Sequence, residues 1–178
     1  MRKIRRGCFE TNSSSVHAIC IATDGIIEKA RYLIFSFGEY GWEEAHLYSS
    51  QEKLSYALTA LFNAYPYNYE DVVEKYNELR EWFREDGIQM QLFFDDSTDD
   101  AVFGKTIWSC GDAYWHDCGS LDHADEAKEF VDYIFDSKEN MFAYLFNENS
   151  YVETGNDNSD YIPRVDVAYP HVTFWKGN

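Results

Sequence analysis

Apolar positions recur along the chain with two different periods, and the switches between them predict the elements. Val16 to Ala22 reads as a strand, with a shorter one over Ile4 to Phe9 and Ser13 to Ser15 in the turn between them. Arg31 to Phe37 is a β-rich run closed by Gly38 and Gly41. The period then becomes helical. Ser49 and Glu52 have the S-x-x-E spacing of a capping box, and Leu54, Ala57, Leu58, Leu61 and Phe62 follow as one buried face, ended by Pro66. Asn68 can cap a second helix with the stripe Val72, Val73, Tyr76, Leu79 and Phe83. Asp71 can pair with Lys75 there, and Gly87 supplies the stop. Ile88 to Phe94 and Val102 to Cys110 read as strands around an acidic loop, Asp95 to Asp100. Asp122 or Asp125 opens a third helix burying Ala127, Phe130, Val131, Ile134 and Phe135. Ser137 caps a fourth, which carries Met141, Phe142, Leu145 and Phe146. From Tyr151 the chain turns polar, and Val165 to Trp175 reads as one or two strands broken by Pro170.

Strands that flank a helical middle, rather than alternating with helices, predict an α+β fold. The expectation is a single domain over residues 1–178, with a mixed, largely antiparallel sheet and about four helices. An apolar fraction of 45% and an aromatic fraction of 18% exclude a disordered chain. No apolar run is long enough to span a bilayer. The basic start, Met1 to Arg6, is not followed by an apolar stretch of signal-peptide type, so a cytoplasmic protein is expected.

Charge narrows the partners. The net charge is −17, and Arg2, Lys3, Arg5 and Arg6 hold four of the fifteen basic residues. Beyond Arg6, eleven basic residues face thirty-two acidic ones, a net −21. Such a field repels nucleic acid and anionic membrane and favours basic partners. An acidic surface also serves solubility alone. The sharper expectation is an acidic face that competes with DNA or RNA for the basic groove of a partner protein, with Asp95, Asp96, Asp99 and Asp100 clustered in one loop as candidate contacts. Cys8, Cys20, Cys110 and Cys118 are expected as free thiols.

Three stretches hold candidate chemistry. Gly7 to Cys20, GCFETNSSSVHAIC, offers Glu10, Thr11, Asn12, Ser13, Ser14, Ser15 and His17 within eight residues. In extended chain Ser13, Ser15 and His17 share a face, and a serine beside a histidine is the minimal nucleophile and base. The same hydroxyls and turn amides can bind a phosphate or carbonyl ligand, or simply satisfy local backbone. The second stretch holds Cys110, His116, Asp117, Cys118, Asp122 and His123. Its spacing matches no zinc finger or knuckle, so no metal is assigned. Asp122 can cap a helix there while His123 projects into a cleft. The third, Gly155-Asn156-Asp157-Asn158, lacks the calcium-loop pattern and fits a turn. The chain has no G-x-S-x-G elbow, P-loop or G-x-G-x-x-G, and no cofactor is assigned.

Together these stretches resemble a family of small hypothetical proteins from phages and Gram-positive bacteria. Phe9 to His17 (FETNSSSVH) resembles that family's FETNSSSxHS opening, Phe37 to Glu43 (FGEYGWE) its FGEFGWE segment, and Gly119 to His123 (GSLDH) its G-x-I-D-H. Phe146 to Asn158 (FNENSYVETGNDN) is similar to its closing motif. The likeness runs from about residue 5 to 158, with Tyr40 for Phe, Leu121 for Ile, and Ala18 where the family usually has Ser. It implies a shared fold and a mobile-element context, and no activity. It also implies that four separated motifs converge on one cleft, supplying Glu10, Asn12, Ser13, Ser15, His17, Glu39, Asp122, His123, Asn156 and Asp157. Three functions compete. One is an accessory protein that binds and inhibits a host defence protein through its acidic surface. The second is a hydrolase or transferase on a nucleotide-like or acyl substrate. There, His17 or His123 acts as acid or base, Ser13 or Ser15 as nucleophile, and Asp122 or Asp157 orients the base. The third sequesters a small ligand in the same cleft.

Overall fold

The computed structural model describes residues 15–65, 68–92, 119–122, 127–156 and 172–177. Its organising strand is β1, Ser15–Ala22, in which Ser15, His17, Ile19 and Ile21 alternate with Ala18, Cys20 and Ala22, all of them buried. A strand buried on both faces needs neighbours on both edges. On one edge β1 pairs antiparallel with Tyr151–Asn156, and on the other with Val172–Gly177. Numbered in chain order, β2 is Tyr32–Phe35, β3 Glu39–Tyr40, β4 Ala45–Leu47, β5 Gln89–Leu92 and β6 Ser120–Leu121, with Tyr151–Asn156 as β7 and Val172–Gly177 as β8. The main sheet has the order β4-β7-β1-β8 and is antiparallel throughout, whereas β2 with β5 and β3 with β6 form parallel pairs. With four helices among the described residues, this is the α+β architecture with a mixed, largely antiparallel sheet.

Helix α1, Ser50–Ala64, begins with the complete capping box. Ser49 Oγ accepts from the Glu52 amide at 3.2 Å, and the Ser49 amide donates to Glu52 Oε2 at 3.0 Å. The sequence pattern gave this helix one buried face, but every residue from Lys53 to Phe62 is buried. Its polar side chains are enclosed because they join other segments. Ser55 Oγ donates to Gln51 O and accepts from the Ser36 amide, and Thr59 Oγ1 donates to Ser55 O and accepts from the Gly38 amide. Asn63 Oδ1 receives the Leu121 amide at 3.4 Å. Spaced by four, these residues form a stripe that docks the 36–40 segment and β6 onto one side of α1.

Helix α2, Tyr69–Glu85, buries Val72, Tyr76, Leu79 and Phe83. Asn68 does not cap it through its side chain but donates to the Asp71 carboxylate at 2.6 Å, and Lys75 turns to Asp132 at 3.7 Å rather than to Asp71. Gly87, at φ +69°, closes a Schellman motif: its amide donates to Arg84 O and that of Ile88 to Phe83 O. Helix α3, Ala127–Ile134, buries Ala127, Phe130, Val131 and Ile134. Asp122 follows β6 in a turn, and residues 123–126, with Asp125 among them, lie outside the described residues. Helix α4, Lys138–Phe146, is capped by Ser137 Oγ, which accepts from the Asn140 amide at 3.2 Å.

Two segments expected as turns are strand. Ser15 starts β1, and Gly155 and Asn156 end β7, because pairing with β1 continues through both. The expected strands over Ile4 to Phe9 and Val102 to Cys110 lie outside the described residues, as do residues 165–171.

Behind the sheet, the Phe146 to Ser150 segment forms a buried polar node. Asn147 Nδ2 donates to Ala22 O and Asp24 O, and Ser150 Oγ donates to Ala143 O while accepting from the Ala22 amide. Lys53, only 1% exposed, reaches this node from α1 and donates to Ser150 O at 2.9 Å and Asn147 O at 3.2 Å. Burial lowers its amine from 10.5 to about 8, against a small opposing influence of Cys20.

Candidate functional site

Strand alternation sends the side chains of Ser15 and His17 to the face that α1 covers. Tyr56 of α1 waits there, and its hydroxyl lies 2.9 Å from His17 Nδ1. The other ring nitrogen, Nε2, lies 2.9 Å from the main-chain oxygen of Asp122, and Ser15 Oγ donates to that same oxygen at 2.9 Å. A carbonyl oxygen only accepts, so His17 Nε2 carries a proton. In the neutral ring Nδ1 is then the acceptor, and the Tyr56 hydroxyl donates to it. Burial, with Tyr40 nearby, pushes the Tyr56 hydroxyl well above the usual tyrosine range, so it stays protonated and able to donate. Tyr40, packed edge-on to Tyr56 at 5.1 Å, is pushed up to about 12, by burial first and Glu52 second.

The Asp122 main chain is fixed from both sides, because its amide donates to Tyr40 O at 2.9 Å. Two glycines allow this approach. Gly41 has φ +107°, and a Cβ there would stand 2.8 Å from His17 Nε2, 3.0 Å from Asp122 Cβ and 3.1 Å from Ser15 Cβ. Gly119, at φ +71°, lies so close to Gly38 that a Cβ would meet its carbonyl oxygen at 2.2 Å. Any side chain at either position would force the segments apart.

Four separated stretches of sequence therefore meet. Ser15 and His17 come from the first, Tyr40 and Gly41 from the second, Asp122 from the third, and Asn156 lies opposite Ser15 in the β1–β7 register. Glu39 is exposed on β3, beside Ser120 of β6. Glu10, Asn12, Ser13, His123 and Asp157 lie outside the described residues, as do Asp95, Asp96, Asp99 and Asp100, and so do Cys110, His116 and Cys118. Cys20 is buried, and its thiol donates to Asn149 O at 3.5 Å.

The chemistry of the junction follows from where its protons point. Ser15 gives its hydroxyl proton to a carbonyl, not to His17, and His17 uses one nitrogen for that carbonyl and the other for Tyr56. Ser15 and His17 share a face and an acceptor, yet in this geometry they form no nucleophile–base pair. Among the described residues, no group of three or more His, Cys, Asp or Glu side chains is arranged to hold a metal ion. No described helix is long and apolar enough to cross a membrane.

Sequence reasoning missed Tyr56, Tyr40 and Gly41. Tyr56 falls off the apolar stripe of α1 and carries no local signal. Gly41, inside a polar stretch between two short strands, was legible only as a strand stop. Comparison with known proteins adds no assignment: no family model matches the chain, and neither a curated protein nor a solved structure matches it significantly.

Proposed function

We propose that this protein acts by binding: it is an accessory protein of a mobile element whose acidic surface occupies a basic surface on a bacterial host protein, in a counter-defence role. The observation that carries this reading is the commitment of Ser15 and His17. Every polar side-chain atom of the pair is engaged within the fold, so these two residues support architecture. Carboxylates, by contrast, stand outward. Glu70, Glu74, Glu78, Glu81 and Glu85 recur at helical spacing along one exposed side of α2. Arg84 pairs with Glu81 and Lys138 with Glu85, while Glu70, Glu74 and Glu78 have no cation at ion-pair distance among the described residues. The net −21 beyond Arg6 and the resemblance to phage and Gram-positive proteins support the same reading.

The competing reading is a hydrolase, a transferase or a small-ligand binder. It draws on the meeting of Ser15, His17 and Asp122, and it requires His17 to leave the Asp122 carbonyl or the Tyr56 hydroxyl. The two are separated by measuring association with a partner isolated from host extract. Binding is expected to weaken steeply between low and physiological salt. Charge reversal at Asp95, Asp96, Asp99 and Asp100 is expected to slow association more than it speeds release, while Ser15→Ala leaves affinity within about twofold. Salt-insensitive turnover of a small molecule, lost in a folded Ser15→Ala or His17→Gln variant, would reject the binding reading.

A further inference from the structure

The loop after β1 holds the first of two Asp-Gly pairs in the chain, Asp24-Gly25, and the second, Asp86-Gly87, closes α2. An aspartate followed by glycine is the setting most prone to one intrachain reaction, because no side chain shields the amide behind the carboxyl group. The two pairs are held in opposite ways. Asp24 and Gly25 are both exposed. Neither the Asp24 carboxylate nor the Gly25 amide has a hydrogen-bond or ion-pair partner among the described residues. What the fold uses at Asp24 is its main-chain oxygen, which accepts from Asn147 Nδ2 at 3.1 Å and Asn149 Nδ2 at 3.4 Å. What it uses at Gly25 is the lack of a side chain: φ is +122°, and a Cβ would stand 2.7 Å from Asn149 Nδ2 and 2.9 Å from Asn147 Oδ1. Close packing against the 147–149 turn thus calls for glycine behind an aspartate whose side chain is left unheld. Asp86, by contrast, has Lys29 against one carboxylate oxygen and Lys138 against the other. These two ammonium groups, Lys138 foremost, hold its carboxyl below the usual carboxylate range. The Gly87 amide donates to Arg84 O at 3.2 Å in the turn that ends the helix. Both reacting groups of the second pair are therefore occupied.

We propose that Asp24-Gly25 is a site of spontaneous covalent rearrangement, where the chain closes a succinimide and reopens it as isoaspartate, and that Asp86-Gly87 is shielded from the same reaction. An exposed side chain without partners samples its rotamers freely, which brings Asp24 Cγ up to the Gly25 amide. The amide nitrogen attacks Cγ of the protonated carboxyl group, a C–N bond forms, and the carboxyl hydroxyl leaves with the amide proton as water. Water then adds to one of the two ring carbonyls. Opening at Cγ restores aspartate. Opening at the main-chain carbonyl breaks the original Asp24–Gly25 peptide bond and leaves the chain running through Cγ, one methylene longer, with no net change in mass. The second opening has a structural consequence. The Asp24 main-chain oxygen becomes part of a carboxylate side group, so Asn147 and Asn149 lose the peptide acceptor that joins the loop to their turn. The bonds from Glu148 to Ile26 O and from Glu28 to Phe146 O are shifted by the added methylene. The Ala22 contacts to Asn147 and Ser150 precede the altered bond and are kept. Rearrangement thus unfastens the outer half of the buried polar node and spares the inner half. It does so whatever the acidic surface binds.

The test incubates the purified full chain at neutral pH and physiological temperature, beside the same chain unfolded in guanidinium chloride. Isoaspartate is counted by enzymatic carboxyl methylation and located by peptide mapping with a protease that cleaves before aspartate and not before isoaspartate. In the native chain isoaspartate is expected to accumulate at Asp24 while Asp86 stays at its starting level. In the unfolded chain both are expected to convert, because Asp86 has lost Lys29 and Lys138. Asp24→Glu cannot close the five-membered ring and should lose the product at that position. It should also keep native circular dichroism, since the fold uses only the main-chain oxygen there. The aged native chain should show a second, less stable population in guanidinium unfolding that Asp24→Glu lacks, and its absence would overturn the structural consequence. Conversion of Asp86 as fast as Asp24 in the native chain would overturn the assignment, as would an Asp24 that converts only after unfolding.

Discussion

Lys53 gives the sharpest test of the fold, because a buried amine with no carboxylate partner among the described residues makes stability depend on pH in a direction few surface groups imitate. Its ammonium form has three N–H donors, and the node offers two carbonyl acceptors, Ser150 O and Asn147 O. The fall from 10.5 to about 8 corresponds to a penalty of about 3 kcal/mol on the charged form. Below pH 8 the amine is protonated both folded and unfolded, and the fold carries the whole penalty. Between pH 8 and 10.5 the unfolded chain holds a proton that the folded chain has released, so stability rises with pH. Raising the pH from about 7 to 9.5 should therefore recover about 2 kcal/mol. Lys53→Met keeps the length of the side chain and removes the titration. Urea unfolding of both proteins at both pH values isolates the effect, since tyrosines and thiols common to the two cancel in the difference. The stability of the unmutated chain relative to Lys53→Met should be about 2 kcal/mol more favourable at pH 9.5 than at pH 7. A gap that stays constant, or moves the other way, would refute the burial argument.

Other perturbations address the junction. Tyr56→Phe removes the donor to His17 Nδ1 and should cost about 1–3 kcal/mol in urea unfolding, the range for a buried acceptor left unpaired. Gly41→Ala combines a left-handed backbone with a methyl 2.8 Å from His17 Nε2 and should cost about 3 kcal/mol or more, read from the same transition. Gly87 also has positive φ but nothing within 4 Å of its Cβ position, so Gly87→Ala should cost only about 1 kcal/mol by thermal unfolding. Equal effects at the two glycines would remove the case for crowding around His17.

The legible part of the fold was the part written in short-range patterns. The capping box at Ser49 and Glu52, the stop at Gly87 and the Ser137 cap depend on residues within a few positions of one another. The two-residue β3 and three-residue β4 are too short to show a period, and each exists because a distant strand pairs with it. β7 was concealed for another reason. Gly155 and Asn156 are turn formers by local preference, and cross-strand pairing with Val16 and Ser15 overrides that preference. The one-sided reading of α1 failed similarly, because Ser55, Thr59 and Asn63 look solvent-facing until their partners in the 36–38 segment and β6 are known.

The same limit governs the site. That Ser15 and His17 share a face follows from their spacing of two, and the structure has them reaching one atom. What the spacing could not indicate is that the atom belongs to the backbone, 105 residues beyond His17. Side-chain chemistry is encoded by residue type, but a main-chain carbonyl is the same at every position and leaves no mark in the sequence. A polar motif can therefore announce which groups will be enclosed without announcing whether a substrate or the chain itself will satisfy them. Here the chain does so at Ser15 and His17, and the result is a pinned Asp122 rather than a nucleophile. Under the binding reading, the groups that would meet a partner are the outward ones, whose message in the sequence is charge rather than a catalytic pattern. A surface so encoded would be read by encounter, which is why salt and charge reversal are the informative variables for that reading.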